Sequence, residues 1–132
     1  MVEAEIVTPQ MIAQFVDPED PIMYSNKITK LSRYNFKQSR VFIITADYIY
    51  IFSGKKLNRR HKIGNLVAII MSEGNAEFVL HFPAAKDLRI TGLEVSDREE
   101  IIAMIKLRYM IKQPKTTLMI FCVPGESLKM FS

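Results

Sequence analysis

The chain has 132 residues, 48% of them hydrophobic and 24% charged, with a net charge of +4. That is one domain's length with enough apolar mass for a core, and it excludes a disordered or collagen-like chain. The single Cys122 excludes an internal disulfide framework and fits a reducing compartment.

The charge is unevenly placed. Residues 1–26 hold Glu3, Glu5, Asp17, Glu19 and Asp20 and no Lys or Arg, a balance of −5. Between Lys27 and Lys62 ten basic residues face only Asp47, a balance of +9, and the rest of the chain is neutral. Such asymmetry bears on partners rather than on fold.

In chain order, residues 1–25 read as an N-terminal arm. The acidic start lacks the basic and apolar regions of a signal peptide, and the most apolar run, Val41 to Phe52, is too short to span a bilayer and contains Asp47. A cytoplasmic protein is the expectation. TPQMIAQFV predicts a short helix with Thr8 as N-cap, Pro9 in first position, and Met11, Ile12 and Phe15 on one face. DPEDP ends it.

Short strands then follow one another: KITKLSRY, with a bulge expected from its imperfect alternation, then SRVFIIT, YIYIF, LNRRHKI, LVAIIM, EFVLHF and DLRIT. Alternation in LNRRHKI sets Asn58, Arg60 and Lys62 on one face and Leu57, Arg59, His61 and Ile63 on the other. Seven strands so short and evenly spaced predict a sandwich or small barrel. Candidate core residues are Val41, Ile43, Ile49, Ile51, Val79, Leu88, Ile101 and Ile105.

The period then changes. SDREEIIAMIKLRYMIKQP predicts a helix from Ser96 to Lys112, with Ser96 and Glu99 as a capping box and Pro114 as its stop. Its apolar surface is wider than one stripe, so it is expected to plug a barrel end and still present apolar side chains elsewhere. TTLMIFCV reads as one more strand, in which Cys122 is a buried filler, and residues 124–132 as a tail.

Catalytic chemistry is not legible. His61 and His81 have no motif-spaced nucleophile, no Cys/His group has zinc spacing, and Gly54-Lys55 lacks the rest of a phosphate loop. A non-enzyme without a cofactor is expected. KKLNRRHK has the composition of a nucleic-acid patch but no aromatic platform, so nucleic acid is an unlikely partner.

The stretch YSNKITKLSRYNFKQSRVFIITADYIYIF carries a further signal. Tyr24, Ser25, Ile28, Lys30 and Arg33, then Arg40 and Thr45, fit the pattern Y-S-x-x-(V/I)-x-K-x-x-R followed by R-x-x-x-x-T. It resembles the tail-homology-1 domain of class I myosins, with looser likeness from Tyr24 to Val123. The resemblance implies a mainly β, pleckstrin-homology-like (PH-like) fold over residues 26–123: a seven-stranded, partly open barrel capped by the C-terminal helix. It also implies a phosphoinositide site in which a lysine of the first strand and basic residues entering the second hold the anion. Lys30 and Arg40 match those places, whereas Gln38 stands where a basic residue is expected and Lys37 is displaced by one.

The anion-binding set expected on these grounds is Lys30 and Arg40, assisted by Arg33 and Lys37, with Lys55, Lys56, Arg59 and Arg60 adding long-range attraction to acidic phospholipid headgroups. The plainer alternative is a solvated basic edge that resists strand pairing. The chain carries no motor sequence, which supports a second expectation: an adaptor subunit in a larger cytoskeletal or ciliary assembly, docked through arm, tail and basic face on acidic protein.

Overall fold

The computed structural model describes residues 9–32, 34 and 36–124. The elements are α1 (Pro9–Phe15), β1 (Ile22–Leu31), β2 (Lys37–Thr45), β3 (Tyr48–Ser53), β4 (Lys56–Lys62), a 3-10 turn (Ile63–Asn65), β5 (Ala68–Glu73), β6 (Phe78–His81), β7 (Leu88–Thr91), α2 (Val95–Lys112) and β8 (Met119–Pro124). One eight-stranded sheet runs β4-β3-β2-β1-β7-β6-β5-β8; β8 lies parallel to β5 and all other neighbours are antiparallel. Mainly β with one long C-terminal helix is the expected class, and the strand after the helix joins the same sheet.

The sheet curls around a core made by Ile28, Phe42, Ile44, Ile49, Ile51, Ile69, Phe78, Leu80, Leu88 and Ile90, closed at one end by α2 through Ile101, Ile102, Ile105 and Tyr109. Those four recur at helical spacing, so a single face of α2 is buried. Leu107, Met110 and Ile111 on its other side remain exposed. The end of α2 is tied down by side chains: Arg108 Nε donates to Ala46 O at 2.9 Å, Gln113 Nε2 to Gly64 O at 3.2 Å, and Lys112 pairs with Asp47.

A second cluster lies on the outer face of β2 and β3. Val41, Ile43, Tyr50 and Phe52 are covered there by Val16, with Ile12 and Phe15 of α1 packed against them. Hence β2 and β3 are buried on both faces, which explains why FIIT and YIYIF do not alternate. Pro9 opens α1 as its sequence requires; the expected cap Thr8 lies outside the described residues, as do the side chain of Met11 and residues 125–132.

All eight candidate core residues are buried, but in different places. Val41 and Ile43 face α1, Val79 belongs to a small cluster with Ala68 and Ile70, and the other five line the barrel.

Several local expectations are corrected. β1 begins at Ile22, and its irregularity lies between Ile22 and Tyr24, ahead of the stretch in which a bulge was expected. The capping box does not form. α2 starts at Val95 with Glu94 at the N-cap and no side-chain cap bond, while Glu99 accepts from Arg98 Nη2 at 2.9 Å. Arg98 is buried beneath the β5–β6 loop, donating to Ser72 O and Asn75 O at 3.2 and 2.8 Å, and this use draws Glu99 away from the cap. Cys122 is exposed rather than a buried filler: it lies on β8, the strand at the sheet edge beside β5, in a stretch whose side chains are mostly solvent-accessible. Gly92, with φ +83°, turns the chain from β7 into α2, where a Cβ would come within 2.7 Å of Thr29 Oγ1.

Candidate functional site

The barrel end opposite α2 is formed by three loops. Register places them together: Leu31 pairs with Lys37 at the β1–β2 loop, Ser53 with Lys56 at the β3–β4 turn, and Leu31 with Arg89 just after the β6–β7 loop.

Side-chain alternation decides which basic residues look into this end. Ile28 on β1 belongs to the barrel core, so Lys30, two residues on, shares its face at the rim. Phe42 and Ile44 on β2 are also core, so Arg40 and Gln38 point the same way. The cross-strand register pairs Lys30 with Gln38 and Ile28 with Arg40. Lys30 and Arg40 therefore stand as diagonal neighbours on one face of two paired strands.

Arg59 reaches this face through a local irregularity. Ile51 pairs with Arg59 but Phe52 pairs with Leu57, leaving Asn58 as an extra residue. The bulge turns Leu57 to the α1 side and Arg59 inward, correcting the regular alternation that set them on one face. Arg59 Nε donates to His61 Nε2 at 2.9 Å, and its Nη2 donates to Lys86 O. His61 stacks on Phe82 with centroids 4.1 Å apart. Burial, reinforced by the Arg59 charge, pulls the His61 pKa down to about 4, so at neutral pH it is the uncharged acceptor that this hydrogen bond needs.

The result is a partly desolvated cluster of positive charge. Burial lowers the pKa of Lys30, and Arg59, Arg40 and Lys86 lower it further. Burial likewise lowers that of Arg59, with Asp87 opposing. Arg40 Nη1 donates to Ser39 O at 2.7 Å, but its buried Nε has no hydrogen-bond partner among the described residues. None of Lys30, Arg40 and Arg59 forms an ion pair among those residues. An arrangement of this kind lowers the energy of an anion placed among the three side chains, since each supplies a charge-assisted donor.

The remaining expected residues are distributed differently. Lys37 is exposed and alternates to the face opposite Arg40. Arg60 lies on the outer face with its guanidinium 5.1 Å from the Tyr48 ring centroid. Lys55 and Lys56 are exposed on the β3–β4 turn at the same end of the barrel. Arg33 lies outside the described residues. Sequence reasoning missed Lys86 and His61, the residues that position Arg59. The available signal for Lys86 was a lone lysine in PAAKD between two predicted strands, and nothing local ties that loop to β4.

Among the described residues no group of His, Cys, Asp and Glu is placed to hold a metal ion, and no helix is long and apolar enough to cross a membrane.

Solved structures confirm the architecture. The hSac2 domain of the human phosphoinositide phosphatase Sac2 matches with a TM-score of 0.64 and 11% identity over 86% of this chain and 84% of that one. The N-terminal PH domain of human ARAP2 matches with a TM-score of 0.62 and 11% identity over 71% and 84%. The DH/PH fragment of PDZRhoGEF, solved with human RhoA, matches with a TM-score of 0.62 and 8% identity over 83% of this chain and 37% of that one. This chain thus spans little more than a third of the DH/PH fragments. At such identities the likeness is one of fold. No curated protein matches the chain by sequence. The family described as unconventional myosin tail, actin- and lipid-binding, matches residues 6–121. With the PH-like barrel, its helix and the first-strand motif in place, the chain belongs to the tail-homology-1 family of unconventional myosins.

Proposed function

We propose that this chain is a non-catalytic PH-like module whose basic barrel end binds acidic, phosphoinositide-containing membranes and so links membrane to cytoskeleton, as a cytoplasmic, peripheral protein. The observation that carries the reading is the cluster of Lys30, Arg40 and Arg59: inward-facing, partly desolvated and, among the described residues, without ion-pair partners and with a buried Arg40 Nε that has no acceptor. Cations held at such a site gain from an anion what they lack from the protein. Lys37, Lys55 and Lys56 add attraction of about 1 kcal/mol each to an acidic leaflet, fading within a Debye length. The family's description as lipid- and actin-binding agrees with this role.

Vesicle sedimentation tests it. Pelleting should rise with acidic lipid and fall with salt. Lys30→Ala with Arg40→Ala should abolish any headgroup preference, Arg59→Ala should follow that pair, and Arg60→Ala should change binding by less than about threefold because its side chain is on the far face. Equal pelleting with neutral and acidic vesicles overturns the proposal.

The exposed Leu107, Met110 and Ile111 of α2, with Met119 and Phe121 on β8, favour a second reading. In it the chain is an adaptor docked in a cytoskeletal or ciliary assembly through these apolar side chains. Leu107→Ser with Met110→Ser should then release the native protein from cytoskeletal pellets while leaving vesicle binding unchanged. Unaltered co-sedimentation removes this reading.

A further inference from the structure

We infer that Tyr34 and Phe36, on the β1–β2 loop, form an aromatic wedge that enters the boundary between headgroups and acyl chains of an acidic bilayer. The inference rests on the membrane reading above and adds the element that would hold the domain there.

Tyr34 and Phe36 are 72% and 67% exposed, the highest values among the exposed large hydrophobic side chains of the described residues. Their rings pack on each other, 6.4 Å between centroids and tilted by 54°, and neither belongs to a hydrophobic cluster among the described residues. A loop does not ordinarily hold two large apolar rings in water without a use for them.

The loop is built to present them. Ser32 Oγ accepts from both Tyr34 N and Phe36 N, at 3.2 and 3.1 Å, and Ser32 N donates to Phe36 O at 3.1 Å. One serine thus fixes the backbone beneath both rings. Lys30 lies two residues before that serine and Arg40 four residues after Phe36. At a strand's rise, four residues span about 13 Å. A lipid phosphate held between Lys30 and Arg40 leaves the loop tip projecting past the phosphate by a distance that covers the roughly 5–10 Å to which apolar side chains sink into the headgroup and acyl boundary.

The chemistry of the surroundings selects the occupant. The exposed rings stand in a basic neighbourhood, with Lys37 next in the chain and Lys30 and Arg40 on the adjoining strand ends. An acidic bilayer interface satisfies both features at once, its phosphates meeting the cations and its acyl boundary receiving the rings. Aromatic rings prefer that layer, and a tyrosine hydroxyl stays hydrated there.

The chain contains no tryptophan, so Phe36→Trp gives a single reporter. The full chain would be titrated with vesicles of phosphatidylcholine containing acidic phosphoinositide, with and without brominated acyl chains, and pelleted in parallel. The expected result is a blue shift of the tryptophan emission on binding, quenching by the brominated lipid, and about tenfold or greater weakening of vesicle binding in Tyr34→Ser with Phe36→Ser. The double variant should keep the parent's thermal midpoint, since neither ring supports the core. If the reporter pellets with acidic vesicles but its emission does not move, or if the serine variant binds as the parent does, the wedge is overturned and the membrane reading survives. If the parent does not pellet with acidic vesicles at all, both fall together.

Discussion

The two ends of the barrel use their cations in opposite ways. At the end closed by α2, Arg98 donates to Ser72 O and Asn75 O, Arg108 to Ala46 O, and Lys112 pairs with Asp47, each joining the helix to a loop. At the other end Lys30, Arg40 and Arg59 make no ion pair among the described residues, and they repel one another across the rim. Charge at the first end is consumed in holding the fold together. Charge at the second is held at some expense to stability, and the proposed binding surface rests on that contrast.

The sharpest way to break this contrast is at the closed end. Ile105 is fully buried against the barrel, and Ile105→Ala should cost about 2–5 kcal/mol, read as a lower denaturant midpoint. An unchanged midpoint would mean that α2 is not the plug. Arg108→Ala removes one hydrogen bond and should cost about 1 kcal/mol while leaving vesicle binding at the parental value. A loss of vesicle binding in that variant would erase the distinction between the ends.

Two further tests address the rim. His61 has a folded pKa of about 4 against an ordinary 6.5. Below pH 6.5 the unfolded chain takes up a proton that the folded chain refuses until about pH 4, so this contribution is complete above 6.5 and is lost as the pH falls between those values. Denaturation series across that window should show a shallower acid loss in His61→Phe, which keeps a ring over Phe82. Identical slopes would refute the role given to the neutral imidazole.

The smallest effect is expected at Lys30. Its pKa is lowered in the fold, chiefly by burial, so the unfolded chain holds the proton more tightly and the ionised side chain is destabilising at neutral pH. Lys30→Met should therefore raise the thermal midpoint slightly at pH 7. The gain should vanish above the unfolded pKa, where both states are neutral, while acidic-vesicle binding falls. A variant less stable than the parent at pH 7 would show that Lys30 serves the fold after all.

Much of the fold was legible because its elements have local causes. Pro9 opens α1, β-branched runs make β2 and β3, and the switch to helical periodicity after residue 95 announces α2. The site was legible in part. Lys30 and Arg40 were identified from a motif, and strand alternation carries both to the barrel rim. Arg59 and Arg60 looked equivalent as neighbours in a basic run. The bulge at Asn58 sends one to the rim and leaves the other over Tyr48, and a bulge depends on the partner strand's register. The capping box failed for a similar reason, since the burial of Arg98 redirected Glu99.

By itself, then, the sequence determined the order and kind of the elements and the concentration of positive charge between Lys27 and Lys62, because propensity, periodicity and composition act over a few residues. Only the tertiary structure decided which of those charges converge, that the carbonyl of Lys86 from the distant β6–β7 loop helps to fix Arg59, and that Tyr34 and Phe36 stand free of the core. Those outcomes follow from register and from the closing of the sheet, which join residues far apart in the chain and leave no mark in any short stretch of it.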